Sequence, residues 1–378
     1  MTWWSDVVRR ANDRTRDEGR WRAVRTIEHG APRTRLADGT EVVSFASNDY
    51  LGLTQHPLLT SAGHAALDRF GTGSGASRLV VGSRPVHDEL EAAIADWQGT
   101  EAALTFPSGY SANVGTIGAL VAAAGRDDCV VLSDELNHAS IIDGIRMSRT
   151  EVVVYRHNDV EHLEAELAAR DRRHAIVVSD ACFSMDGDVA PVDDLAEVCL
   201  AHEAMLVLDE AHAVLGPDSP RLDGLDLAVV GTMSKTLGSV GGFVAGPQEL
   251  VDLVLNRARS FIFTTAPSPV DMATALAGLQ VLRSAEGEAL VARLRSLVDL
   301  LRPGHPSPIV PIVLGEEERA VGVADALLER GLLVPAIRPP TVAPGTCRLR
   351  IALSAAHEPD DVEHLRDALD ELRVSAGG

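Results

Sequence analysis

Aromatic residues make up only 4% of this 378-residue sequence, and it holds only four cysteines. Cys129, Cys182, Cys199 and Cys347 are widely spaced and form no CxxC pair, so neither a thiolate metal site nor a redox couple is expected. Buried or incidental thiols in a reducing cytosol are the plain reading. No apolar run reaches the ~18 residues that a membrane span requires, and the start, MTWWSDVVRRANDR, has no apolar signal core. A soluble, cytoplasmic protein with no membrane partner is the expectation. Basic residues are scarce as well, with 34 Lys plus Arg against 55 Asp plus Glu and a formal charge of −21. That excess repels nucleic acid, and any anionic ligand has to be met by a local patch. The sequence also lacks internal repeats, low-complexity tracts and long linkers.

Apolar sequence is plentiful, at 46% of the chain, enough for more than one core. Short β-branched runs read as strands: AALTF at 102–106, CVVLSD at 129–134, EVVVY at 151–155, AIVVSD at 175–180, MLVLDE at 205–210 and LAVVGT at 227–232. Between them SANVGTIGALVAAA, VEHLEAELAAR and VDDLAEVCLAHE have helical spacing. The alternation predicts an α/β fold, a mostly parallel sheet flanked by helices, ending with GGFVAG at 241–246. APSPV near residue 266 opens a second unit with one long helical pattern, MATALAGLQVLRSAEGEALVARLRSL. PIVPIVL at 308–314, LLVPAI at 332–337 and CRLRIAL at 347–353 then read as strands of a smaller sheet, closed by the helix PDDVEHLRDALDELR. An amphipathic helix near 5–16 and a hairpin at Asp38-Gly39 give the first residues the look of an arm. The expected organisation is an arm at 1–45, a large domain at 46–265 and a small α+β domain at 266–378.

Chemistry concentrates at predicted strand ends. Lys235, in GTMSKTLGSVGG, follows a buried strand at the end where open α/β sheets present ligand groups. An amine desolvated there becomes available to form a Schiff base, although a surface-loop lysine is the ordinary alternative. Asp209, in MLVLDEAHAVLG, is the carboxylate that a pyridoxal ring nitrogen requires, or else the cap of a following helix. His212 on the same loop can donate to a phenolic oxygen or simply pack. Ser108-Gly109-Tyr110 ends a strand where a helix begins, a natural phosphate cradle, and Thr232 can add a hydroxyl. His138, in LNHAS, can stack on a planar ring or serve only structure.

In order along the chain, SNDYLGL, GTGSGASRLVVG, HDELE, LNHAS, CFSMDGDVAP, LDEAH, GTMSK and RLRIALSAAHE resemble the α-oxoamine synthases. These are the acyl-transferring branch of the fold-type I pyridoxal-phosphate enzymes. The resemblance implies a homodimer with pyridoxal 5'-phosphate on Lys235, Asp209 at the ring nitrogen, and His212 and Ser184 at the phenolic oxygen. His138 covers the ring, and Ser108, Gly109, Tyr110, Thr232 and the partner subunit's Thr265 surround the phosphate. Arg350 grips the substrate carboxylate beside Asn48, and Arg22 meets the acyl carboxylate or CoA. No metal is implied. The stretch AIRPPTVAPGTCRLRIALSAAHE at 336–358 is closest to the branch that joins L-alanine to a pimeloyl thioester, on CoA or on an acyl carrier protein. Glycine-using sister synthases and a non-catalytic pyridoxal-binding regulator are the alternatives. One departure from the family pattern is the connection PDSPRLDGLD, where relatives have a longer loop with a Gly-Arg-Gly element.

Overall fold

The computed structural model describes residues 2–374. The chain enters through the exposed helix Trp3–Asp17, which has no buried residue. A hairpin follows, β1 (Arg33–Arg35) and β2 (Glu41–Ser44), around Gly39 at φ +88°, a left-handed value that glycine adopts at little cost. The hairpin does not belong to a free arm. β2 also pairs in parallel with a strand of the C-terminal unit, and Val43 packs in that unit's core.

The large sheet contains β3 (Ala102–Phe106), β4 (Cys129–Asp134), β5 (Glu151–Tyr155), β6 (His174–Asp180), β7 (Met205–Asp209), β8 (Leu227–Thr232) and β9 (Gly242–Gly246). Its order is β3-β9-β8-β7-β6-β4-β5, with β9 antiparallel to both neighbours and the other pairs parallel. Alternate residues of the central strands reach opposite faces, and both faces are buried. Val131, Val178, Val207 and Val230 pack under the helices Gly109–Ala124 and Gln248–Arg257. Leu132, Val177, Leu206 and Leu208 pack under Val160–Ala169 and Val192–Ala201. Burial on two sides is why these strands read as unbroken apolar runs. The register ends the strands together, setting Asp180 opposite Asp209.

The C-terminal unit adds β10 (Ile309–Gly315), β11 (Leu332–Leu333), β12 (Ala336–Ile337) and β13 (Cys347–Ala352). The expected single strand LLVPAI is two, because Pro335 interrupts it. β11 joins β2, whereas β12 pairs with β13, which also pairs with β10. The long helical pattern likewise divides into Pro269–Leu282 and Ala285–Leu301, since the Ser284 hydroxyl accepts from Gly287 N and starts the second helix. Met272, Ala275 and Leu279 of the first helix pack on the large domain beside Leu90 and Ile94, while Ala277 and Val281 enter the small-domain core. That helix therefore belongs to both domains. All four cysteines are buried thiols.

A tight hairpin at 182–189 ties the two units. Phe183 N donates to Asp188 O at 3.0 Å and Gly187 N to Phe183 O at 2.8 Å. Gly187, at φ +67°, lies so close to the Ile309 carbonyl of β10 that a Cβ has no room, and Ser307 Oγ donates to Gly187 O at 2.6 Å. From the large-domain side, His157 bridges Asp134 Oδ1 at 3.0 Å and Asp188 Oδ2 at 2.6 Å. Burial alone would lower the His157 pKa, but these two carboxylates raise it to about 10. The sign follows from linkage: a raised folded-state pKa stabilises fully below the unfolded value and fades as pH rises through about 10. His157→Gln should therefore cost on the order of 1 kcal/mol near neutral pH, partial exposure being allowed for. Urea unfolding of parent and variant at pH 6 and at pH 10 checks this; the gap should shrink at the higher pH.

Candidate active site

The parallel strands β4, β6, β7 and β8 end on the same edge of the sheet, where apolar residues give way to Asp134, Asp180, Asp209 and Thr232. Lys235 follows β8 in a turn closed by Gly238 N to Lys235 O at 3.2 Å and Ser239 N to Met233 O at 2.9 Å. Its Nζ lies 2.9 Å from His212 Nε2. Burial lowers the Lys235 pKa; Asp209 and Asp180 oppose that shift and Arg350 reinforces it. The residue is therefore not a solvated loop lysine. It is also the only lysine in the chain, every other cationic side chain of fixed charge being an arginine. That signal stands in plain sight in the sequence and singles out this position for amine chemistry without any motif.

Asp209 is buried, and no helix follows it to be capped. Its Oδ2 accepts from Asn113 Nδ2 at 2.6 Å and its Oδ1 from Ala211 N at 2.9 Å. Asn113 extends the contact to Ser140 Oγ at 2.9 Å, and Ser140 Oγ lies 2.7 Å from His138 Nδ1. His138 caps the helix Ala139–Ser148, so its structural use and its position at the site coincide. Burial lowers its pKa despite the Asp209 charge. Sequence patterning passed over Asn113, which sits inside an apolar helix, and Asp180, which ends a strand like several others. Asp180 accepts from His138 N at 2.9 Å, and burial followed by the Asp209 charge pushes its pKa well above the usual carboxyl range.

A second polar chain runs to the small domain. Tyr50 Oη is 2.5 Å from His212 Nδ1 and 3.2 Å from Asn48 Oδ1, which also accepts from Arg350 Nη2 at 3.0 Å. Arg350 Nε donates to Ser184 O at 2.5 Å. Arg350 is 4% exposed, and both of these partners are neutral oxygens. Its neighbour Arg348 differs, because it is paired with Asp186.

The helix Gly109–Ala124 opens beside Thr232, whose Cβ would be 3.3 Å from a Cβ placed on Gly109. Ser108 Oγ accepts from Ser111 N at 3.1 Å, leaving the first amides directed outward with no intrahelical acceptor. Tyr110 is half exposed and donates instead to Asp143 Oδ2 at 2.7 Å. Thr265 and Arg22 are exposed, and no contact among the described residues brings either to this cluster of its own chain.

These groups fit pyridoxal phosphate. Lys235 offers the amine, Asp209 the carboxylate, and the Gly109 cradle has space because it lacks a Cβ. Asn113, whose Nδ2 joins this polar network, has a buried Oδ1 with no hydrogen-bond partner among the described residues.

A family model, aminotransferase class I and II, matches residues 40–369. The chain is 51% identical over 350 residues, 88% of its length and 86% of the relative's, to an 8-amino-7-oxononanoate synthase from Anaeromyxobacter dehalogenans. A second, from Methylobacterium sp. (strain 4-46), is 46% identical over 367 residues, covering 94% and 93%. Among solved structures, a serine palmitoyltransferase from S. paucimobilis holding PLP and myriocin aligns with a TM-score of 0.88 at 31% identity, covering 99% of this chain and 100% of that one. An 8-amino-7-oxononanoate synthase from Francisella tularensis shares the fold, with a TM-score of 0.72 at 24% identity over 88% and 98% of the chains.

Borohydride reduction in the presence of pyridoxal phosphate should label Lys235 and nothing else, read by peptide mass. Lys235→Ala should abolish the label and keep the melting temperature, and a label confined to the chain's α-amino group would refute the assignment.

Proposed function

The chain belongs to the class I and II aminotransferase family, in its α-oxoamine synthase branch, and from that premise we propose that it is a pyridoxal-phosphate-dependent C-acyltransferase. It joins L-alanine to a pimeloyl thioester, giving 8-amino-7-oxononanoate, CO2 and free thiol, a step of biotin biosynthesis. The observation that carries the reading is a buried, carboxylate-free Arg350 beside Asn48, within one hydrogen-bond chain of the Lys235 amine.

When bound, the cofactor supplies a pyridinium electron sink for the carbon–hydrogen and carbon–carbon bonds that break. Asp209, fixed by Asn113 and Ala211, would hold the protonated ring nitrogen. Arg350 and Asn48 hold the amino-acid carboxylate by a planar contact. Lys235, with a lowered pKa, takes the α-proton as general base. His212, with Ser184 nearby, would hold the phenolic oxygen of the bound cofactor, and His138 would cover its ring. The outward amides at Gly109 and Tyr110, with Ser108 and Thr232, receive the phosphate.

Thr265 completes that cradle from across a homodimer interface. Its exposure in the single chain supports this reading, as does the apolar surface of Leu79, Val80, Val81 and Phe263. Arg22, also exposed, is assigned to the far carboxylate of the acyl chain. No helix among the described residues is long and apolar enough to cross a membrane; the proposed setting is the cytoplasm.

L-Alanine with pimeloyl-CoA should release thiol and CO2 in equal amounts. A methyl pocket gains only ~1–3 kcal/mol, so glycine should be a slower substrate rather than an inert one. Arg22→Ala should weaken pimeloyl-CoA more than an uncharged acyl-CoA of similar length. Faster turnover of glycine with acetyl-CoA would leave the family standing and remove the substrate assignment.

A further inference from the structure

Tyr50 lies wholly inside the protein, and its hydroxyl has two neighbours that can accept a proton: His212 Nδ1 at 2.5 Å and Asn48 Oδ1 at 3.2 Å. It has one proton to give. Asn48 Oδ1 already receives Arg350 Nη2 at 3.0 Å, whereas His212 Nδ1 has no other partner among the described contacts. We propose that Tyr50 is a positioning residue whose hydroxyl donates to His212 Nδ1, fixing the imidazole as the tautomer that carries its proton on Nε2, toward Lys235.

The opposite polarity would run from a charged Lys235 to Nε2, from Nδ1–H to Tyr50, and from Tyr50 to Asn48. Distances decide against it. An imidazole N–H donor to oxygen makes contacts of ~2.7–3.2 Å, and the 2.5 Å between Tyr50 Oη and His212 Nδ1 lies below that range. The short contact is thus the hydroxyl's donation, and the long one to Asn48 is secondary. The ionisation preferences agree. Burial pushes the Tyr50 phenol up, so it keeps its proton, while burial, reinforced by the Arg350 charge, pushes His212 well down, so it stays neutral beside an uncharged Lys235 as well. A neutral imidazole has one N–H and one bare nitrogen; once Tyr50 occupies the bare Nδ1, the N–H must be at Nε2.

This gives Lys235 a hydrogen-bond donor 2.9 Å away, which suits a free-base amine and would repel an ammonium. When the lysine is covalently occupied, the same N–H is the donor that an anionic oxygen beside it requires. That consequence rests on the proposed function; the tautomer does not.

The test is 15N NMR of histidine-labelled full-length chain, with pyridoxal phosphate bound and again after its removal, using His212→Asn to identify the His212 signals. The expected result in both forms is a bare-nitrogen shift at Nδ1 and a protonated-nitrogen shift at Nε2. Tyr50→Phe, which keeps the ring and should keep the near-UV circular dichroism, should move protonation toward Nδ1. A wild-type proton on Nδ1 in either form, or a Tyr50→Phe spectrum with unchanged His212 shifts, would overturn the proposal. A purely structural role for Tyr50 predicts that unchanged spectrum. Neither result depends on which amino acid or thioester is the substrate.

Discussion

A half-buried amine in the field of two carboxylates is the constraint on which the rest of this structure depends. Burial drives Lys235 toward its free base, and Asp209 and Asp180 drive it back toward the cation. Neither tendency alone suits the proposed role, in which the amine binds covalently and then moves a proton. The balance exists because parallel register ends β6 and β7 side by side and places two aspartates near the turn after β8. Strand pairing, a backbone property, thereby tunes a side chain three residues beyond the sheet.

The second domain enters through the same cluster. The hairpin at 182–189 is clamped by Ser307 and Ile309 on one side and by His157 on the other, and its Ser184 carbonyl receives Arg350. Arg350 lies on β13, whose alternate residues Leu349 and Ile351 sit in the small-domain core. A one-residue slip of that strand would exchange the arginine for a leucine or an isoleucine at the site. Domain docking and, on the proposed reading, substrate orientation are consequently one packing problem.

Much of this was legible in the sequence because strand ends and helix starts have strong local signatures. The strands β3 to β9 appear as apolar runs; Asp209 ends one of them, and the Ser108 cap, His212 and Lys235 follow within three residues of a strand end. The failures have physical causes. Periodicity does not register a single capping serine, so two helices meeting at Ser284 read as one. LLVPAI read as one strand because its apolar character continues through Pro335, although its halves serve different sheets. Asn113 and Tyr50 were missed since a polar atom inside an apolar helix, or a tyrosine in a loop, acquires meaning only from its partner. Those partners lie 96 and 162 residues away. Thr265 and Arg22 remain exposed in the single chain, and sequence alone places them at the site only through resemblance.

The overall charge of −21 makes anion binding the hardest task for this protein, and the two arginines of β13 show how it is met. Both are buried, and a buried cation without a counter-charge is costly. Arg348 avoids that cost by pairing with Asp186, so its charge is spent on holding the hairpin. Arg350 has only the Ser184 carbonyl and Asn48 as partners among the described contacts. Their dipoles orient the guanidinium but do not neutralise it. The unspent charge is what a substrate carboxylate can compensate on binding, recovering in the complex some of the stability given up in the empty protein. On the proposed reading, two residues of one type on one strand thus divide the labour between structure and recognition, according to whether a carboxylate of the chain lies within reach.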